Sequence, residues 1–197
     1  MKLVLASGNP GKLREIGQLL APLGIALVSQ AELGVVEAEE PHPTFVENAL
    51  AKARHASRAC GLAALADDSG LCVEALGGAP GVHSAYYAGG EGSREERDSR
   101  NNEKLLRMIS ERREAYYVCL MALVTHPDDP RPLIAEGIWR GQIAKTPRGS
   151  NGFGYDSLFF VPALQKTAAE LAPEQKNRIS HRGIALQKLL GLLNDQA

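Results

Sequence analysis

Cysteine is scarce: Cys60, Cys72 and Cys119 are odd in number and nowhere spaced as CxxC. That count excludes a closed disulfide framework and a thiolate zinc site, and suits thiols buried in a reducing compartment. Charge of one sign is missing too. The 22 Lys and Arg residues against 23 Asp and Glu leave a net charge of -1. No field of the whole chain therefore points to DNA, RNA or an anionic membrane, and an anionic ligand has to be held locally. No apolar run approaches the ~20 residues of a membrane span. The apolar stretch before the first glycine is too short for a signal peptide, so a cytoplasmic location is expected. Internal repeats, low-complexity stretches and long linkers are absent as well, which makes residues 1–197 a single expected domain. What remains is an ordinary soluble composition, 44% hydrophobic and 23% charged in 197 residues. A chain of that length buries roughly 70% of its extended surface and needs no staples. Its 20 glycines fit a loop-rich enzyme.

The order of elements reads as α/β. Residues 2–6 are a short apolar run, broken by Ser7-Gly8-Asn9-Pro10-Gly11, after which Leu13, Ile16, Leu19 and Leu20 recur at helical spacing. Asn9 is a good N-cap and Pro10 a good first helical residue, while Pro22 and Gly24 are expected to close the helix before a strand over 25–28. Thr44 to Glu47 forms a capping box for a second helix that ends near Gly61. Residues 62–66 read as a buried strand ending at Asp67-Asp68-Ser69-Gly70, where open α/β sheets place their ligands. The charge-rich stretch 91–113 reads as a solvated helix with Leu105, Leu106 and Ile109 as its apolar stripe. Two strands follow over 116–125 and 133–143, the second bent at Gly137 and Gly141. A loop over 150–154 and a last helix opening at Ser180 complete the chain.

Four constellations carry chemistry. The first is Ser7-Gly8-Asn9-Pro10-Gly11-Lys12, a small-residue loop at a helix start whose unpaired N–H groups, with Lys12, can cradle phosphate. It is not a Walker A loop, because Ala6 and Leu13 stand where that motif needs glycine and Ser or Thr. The second is acidic: Glu37, Glu39 and Glu40 before Pro41, and Asp67 with Asp68. Mg²⁺ favours one or two carboxylates completed by phosphate and water, and a further carboxylate can deprotonate the attacking water. Glu37 reads as a solvated loop residue. The third is Phe153-Gly154-Tyr155-Asp156, where glycines free the Phe153 ring to stack on a base and Asp156 can accept from ribose or base; Phe159 and Phe160 read as core. The fourth is Lys176 with His181 and Arg182 at the last helix start, donors suited to a 6-oxopurine edge.

Together SGNPGKLREI, TFVENALAKA, ADDSGLCVEALGGAPGVHSA, NGFGYDSLF and SHRGIAL closely resemble the Ham1/RdgB family of inosine/xanthosine triphosphate pyrophosphatases. The motifs run in order from residue 7 to residue 186. The resemblance implies a mixed sheet with flanking helices, two lobes about a nucleotide-binding cleft, and a homodimer. It implies Mg²⁺-dependent hydrolysis of ITP, dITP and XTP to the monophosphate and pyrophosphate. Carried over by position, Ser7, Gly8, Asn9, Pro10, Gly11 and Lys12 hold the triphosphate, Asp68 is proton acceptor and metal ligand, and Ser69 touches substrate. Glu40 is the second metal ligand, with Glu39 as its alternative. Phe153, Gly154, Tyr155, Asp156, Lys176, His181 and Arg182 recognise base and sugar. Tyr86 stands where members usually carry arginine. The competing reading is a nucleotide- or RNA-binding protein without catalysis, which needs the basic and aromatic groups but neither Asp68 nor the acidic loop.

Overall fold

The opening apolar run forms strand β1 (Lys2–Leu5), and its polar break becomes a loop into helix α1 (Pro10–Leu20). Asn9 caps that helix in extended conformation, its side chain accepting from the N–H groups of Gly11 and Lys12. The computed structural model describes residues 2–21 and 24–195. Of the two residues expected to close α1, Pro22 lies outside the described residues and Gly24 takes a positive φ of 68°. There follow β2 (Ala26–Ser29), α2 (Phe45–Cys60), β3 (Ala64–Val73), α3 (Arg94–Met108), β4 (Glu114–Val124) and β5 (Leu133–Ile143). Short strands β6 (Phe159–Val161) and β7 (Lys166–Thr167) precede helices α4 (Pro173–Ile179) and α5 (His181–Asn194). Thr44 caps α2, and Gly61 closes it in left-handed conformation. Helix α4 has no counterpart among the elements expected from the sequence.

The seven strands form one mixed sheet in the order β2-β1-β3-β4-β5-β6-β7. β1 pairs in parallel with β2 and β3, while β5–β6 and β6–β7 are antiparallel. The chain divides into two compact units, and β3, β4 and β5 contribute residues to both.

The first unit comprises residues 1–68, 119–137 and 181–197. One sheet face packs Leu3, Leu5, Leu65, Met121 and Leu123 against Ile16 and Leu20 of α1 and Leu186 and Leu189 of α5. The other packs Val4, Ala6, Ala64, Ala66, Ala122 and Val124 against Ala49, Ala53 and Ala56 of α2. Alternation along β1, β3 and β4 assigns each residue to its face. The second unit comprises residues 69–118 and 138–180, with a core of Leu71, Val73, Leu105, Tyr117, Trp139, Leu158 and Phe159. Phe159 is fully buried as expected, whereas Phe160 is half-buried beneath the Arg148 guanidinium.

Two readings of local structure are corrected. The strand read as ending at Ala66 continues through Asp67, Asp68, Ser69 and Gly70 to Val73. Charged partners meet each of the two carboxylates within the strand, Lys12 and Arg182 at Asp67 and Lys52 at Asp68, and Gly70 lets it pass a neighbour where a Cβ would lie 2.2 Å from the Gly81 carbonyl oxygen. Gly137 and Gly141 do not bend β5, since both lie within one continuous strand. Each permits close approach: a Cβ at Gly137 would stand 1.9 Å from the His181 carbonyl oxygen, and one at Gly141 2.5 Å from that of Phe160.

Candidate active site

Asp67 and Asp68 are consecutive on β3, so their side chains point to opposite faces of the sheet. Asp67 follows Leu65 on the face lined by α1 and α5, fully buried. Its Oδ2 meets Lys12 Nζ at 3.1 Å, and accepts from Arg182 Nε at 3.3 Å and Nη2 at 3.2 Å. Arg182 Nη1 donates to Glu15 in turn. Burial favours the neutral acid, but Lys12, Arg182 and Lys52 together outweigh it and hold Asp67 well below the ordinary carboxylate range. Burial likewise opposes the Arg182 charge, and Asp67 and Glu15 reverse that, raising its pKa.

Asp68 follows Ala66 on the α2 face. Its Oδ1 accepts from Lys52 Nζ at 2.9 Å and its Oδ2 from Asn48 Nδ2 at 3.3 Å. Asn48 and Lys52 are one turn apart and so share one face of α2. Lys52 Nζ also donates to Glu40 Oε1 at 2.8 Å, and Asn48 fixes the segment before the helix through the His42 N–H and carbonyl at 3.0 and 3.1 Å. Burial lifts the Asp68 pKa above its ordinary value, with Lys52 pulling against it. For Lys52, burial is outweighed by Asp68, Glu40 and Asp67, so its pKa rises and it is an ammonium at neutral pH. One ammonium shared by Glu40 and Asp68 shows that these carboxylates converge on a single cation. Mg²⁺ needs no more than such a pair when phosphate and water complete its shell, so the donor set fits that ion. Among the described residues no group of three or more His, Cys, Asp or Glu side chains is arranged to hold a metal.

In the loop after β1, the donors are already engaged. Asn9 N–H donates to Ser7 Oγ at 3.2 Å, and the N–H groups of Gly11 and Lys12 donate to Asn9 Oδ1 at 2.9 and 3.2 Å. Gly8 N–H donates to Glu37 Oε1 at 2.8 Å. Glu37, read as a solvated loop acid, thus puts a carboxylate on the loop expected to hold phosphate. A Cβ at residue 8 would strike that oxygen at 2.3 Å.

The second unit holds the Phe153 loop. Asp156 Oδ2 accepts from Phe153 N–H at 2.9 Å and from Lys176 Nζ at 2.7 Å, while Tyr117 donates its hydroxyl to Oδ1 at 3.4 Å. Asp156, Lys176 and Tyr155 are buried, and Tyr155 donates its hydroxyl to the Ser84 carbonyl at 2.9 Å. Burial raises the Tyr117 and Tyr155 pKa values, so both stay phenols. Phe153 is only half-buried. The Lys176 ammonium lies 5.1 Å and the Arg94 guanidinium 4.6 Å from its ring centroid.

The sequence model of the Ham1 family matches residues 3–192. The chain belongs to the Ham1 family. It is 62% identical over 197 residues to the dITP/XTP pyrophosphatase of Burkholderia pseudomallei (strain K96243), covering 98% of this chain and 94% of that protein. It is 60% identical to the dITP/XTP pyrophosphatase of Nitrosomonas europaea, covering 98% and 95%. A solved HAM1 protein from Coxiella burnetii superposes with a TM-score of 0.89 at 48% identity, over 99% of each chain.

Against this family membership the expected site residues sort into two groups. Ser7 to Lys12, Glu40, Asp68, His181 and Arg182 lie in the first unit, and Ser69, Phe153 to Asp156 and Lys176 in the second. Asp68 and Glu40 meet at Lys52; Glu39 and Glu40 are both exposed, and it is Glu40 that the ammonium reaches. His181 is buried, and Arg182, expected as a donor at an open helix start, is 2% exposed and turned onto Asp67 and Glu15. Lys52, Asn48 and Glu15 were not read from the sequence. Asn48 and Lys52 carried a signal, two polar residues four apart beside the alanine stripe of α2. Glu15 carried none, because its partner lies 167 residues away.

Proposed function

We propose that this protein hydrolyses the non-canonical purine nucleoside triphosphates ITP, dITP and XTP to the monophosphate and pyrophosphate. The arrangement that carries the reading is the buried Asp68 carboxylate, which shares one ammonium with Glu40. Support comes from relatives about 60% identical over nearly the whole chain that bear the dITP/XTP pyrophosphatase name. Asp68 takes the proton of the attacking water. Asn48 donates to one of its oxygens and Lys52 to the other, which fixes the direction in which the carboxylate faces. Ser7 to Lys12 hold the phosphates: a phosphate oxygen replaces Glu37 on Gly8 N–H, and the charge of Lys12 lies near. Mg²⁺, which Glu40 and Asp68 would hold, supplies neutralisation of phosphate charge and polarisation of the phosphorus.

Ser69 touches substrate, Phe153 stacks on the base, and Gly154, Tyr155, Asp156, Lys176, His181 and Arg182 set base and sugar recognition. Asp156 and Lys176 act through each other, since their salt bridge closes the loop on which the ring stands. In this reading residues 1–197 work as one domain, in a homodimer, in the cytoplasm. Among the described residues no helix is long and apolar enough to cross a membrane. A binder without catalysis has no use for a buried Asp68–Lys52 pair that reaches out to the exposed Glu40.

Product analysis tests the reading. Purified protein with ITP and Mg²⁺ should release pyrophosphate and IMP, with ATP turned over far more slowly. Stepwise release of orthophosphate, or equal rates on ATP and ITP, would refute it.

A further inference from the structure

Helix α3 carries a row of polar residues that neither phosphate binding nor the proton transfer uses. Arg94, Asp98 and Asn102 recur every fourth position and so lie along one stripe of the helix. Asp98 Oδ2 accepts from the Gly154 N–H at 2.9 Å, and Asn102 Nδ2 donates to the Gly154 carbonyl at 3.0 Å. Both backbone polar groups of one loop residue are thus gripped by side chains 56 and 52 residues away in sequence. Gly154 sits at φ +63°, a left-handed conformation. Arg94 stands over the Phe153 ring and is 3.9 Å from Asp98.

The helix is itself anchored beside this loop. Asn101 accepts from Ala88 N–H at 2.7 Å and donates to the Ser84 and Ala85 carbonyls, both at 3.2 Å. The same Ser84 carbonyl receives the Tyr155 hydroxyl. Asp156 and Lys176 fix the loop at Phe153 N–H and α3 fixes it at Gly154, so a ring left half-exposed in a glycine-rich loop acquires a defined position.

We propose that the Arg94–Asp98–Asn102 stripe of α3 positions the base-recognition loop, so that nucleobase selectivity is set from a helix outside the loop's own motif. The proposal rests on the reading above, in which Phe153 meets the base. Asp98 and Asn102 are positioning residues. They hold Gly154, and through it the plane of the Phe153 ring, while Arg94 restrains the ring directly. Discrimination between a 6-oxo and a 6-amino edge depends on where the base is held relative to its donors, and a displacement near 1 Å can cost up to ~100-fold.

Steady-state kinetics on the whole chain, with inorganic pyrophosphate as an inhibitor that reports the phosphate loop alone, test it. Asp98→Ala should raise KM for ITP about tenfold, the lower part of that range. It should leave kcat and pyrophosphate inhibition near wild type, and shrink the ITP-to-ATP ratio of kcat/KM. Asp98→Asn keeps an acceptor for Gly154 N–H and should restore most of the loss. Glu95→Gln, an exposed change on the same helix, should do nothing. An unchanged KM and ITP-to-ATP ratio in Asp98→Ala, or an equal loss of pyrophosphate inhibition, overturns the proposal. If Asp98→Ala does not fold, Asn102→Ala carries the same expectations and the same refutation. A wild-type chain that releases no pyrophosphate from ITP overturns the reading of the reaction instead. IMP affinity by calorimetry then decides: a weaker value in the variants supports the positioning role, and an unchanged one, or no wild-type binding, ends it.

Discussion

At the scale of single residues, two neighbouring aspartates differ because a strand sends them to opposite faces. Asp68 faces a lysine shared with a second carboxylate, so Asp68→Asn removes the proposed proton acceptor and almost no volume. Turnover should fall by ~10²–10⁴-fold with the thermal midpoint little changed, as for loss of a general base. Kinetics and a melting curve on one preparation check both halves, and near-normal turnover would remove Asp68 from its role. Asp67 lies in the opposite setting, with two cations on one fully buried oxygen. Taking away its guanidinium leaves Asp67 and Glu15 short of positive charge inside the fold. Breaking a buried pair from one side costs ~3–5 kcal/mol, and Arg182→Ala should lose that much in urea unfolding. Arg182→Lys should lose less, since it keeps the charge but not the fork that reaches Asp67 and Glu15 together. If Arg182→Ala instead unfolds like wild type and changes only base preference, the guanidinium serves the ligand and not the fold. The sequence marked Asp68 and Arg182 as chemical groups, yet it could not assign Arg182 a partner, because Asp67 and Glu15 are 115 and 167 residues away.

At the scale of elements, local signals were legible and through-space ones were not. Asn9-Pro10 and Thr44 to Glu47 announce the starts of α1 and α2 because a cap is chemistry within four residues. The length of β3 was not legible: two acids after an apolar run look like its end unless their partners on α1, α2 and α5 are known. Glu37 was missed for the same reason, as it reaches Gly8 across 29 residues. Its carboxylate competes with any anion for the loop, so Glu37→Gln should lower KM for ITP by about 1.5- to 5-fold, the range of an exposed charge interaction of ~0.2–1 kcal/mol. Initial-rate measurements at constant ionic strength check this; a raised KM would make Glu37 part of the binding site. Gly137 tests a contact between elements. A Cβ there meets the His181 carbonyl at 1.9 Å and the Ala185 nitrogen at 2.5 Å, so Gly137→Ala must push the first turn of α5 away from β5. A loss of ~1–3 kcal/mol, typical of overpacking, is expected in denaturant unfolding.

At the scale of the whole molecule, near-neutral charge hides groups whose protonation depends on folding, and acid should expose them. Asp129, in the turn between β4 and β5, shows how. It accepts from Thr125 N–H and Oγ1 at 2.9 and 2.7 Å and from Arg131 N–H at 2.8 Å. Those bonds favour the carboxylate and bring its pKa down to about 2, with His126 adding a smaller pull. The Arg54 guanidinium meets the Asp129 backbone carbonyl at 3.3 Å and holds the same turn. A carboxyl more acidic in the folded chain than in the unfolded one stabilises the fold at every pH above its unfolded value, which is near 4. As pH falls from about 4 to about 2 the unfolded chain takes up the proton first, and the stabilisation drains away. The urea midpoint of the wild-type protein should therefore drop across that interval. Asp129→Asn has no proton to gain: it should start with a lower midpoint at pH 5 and lose less between pH 4 and pH 2. Equal slopes for the two proteins would mean that the turn holds the neutral acid as firmly as the carboxylate, and that acid sensitivity arises at other carboxyls.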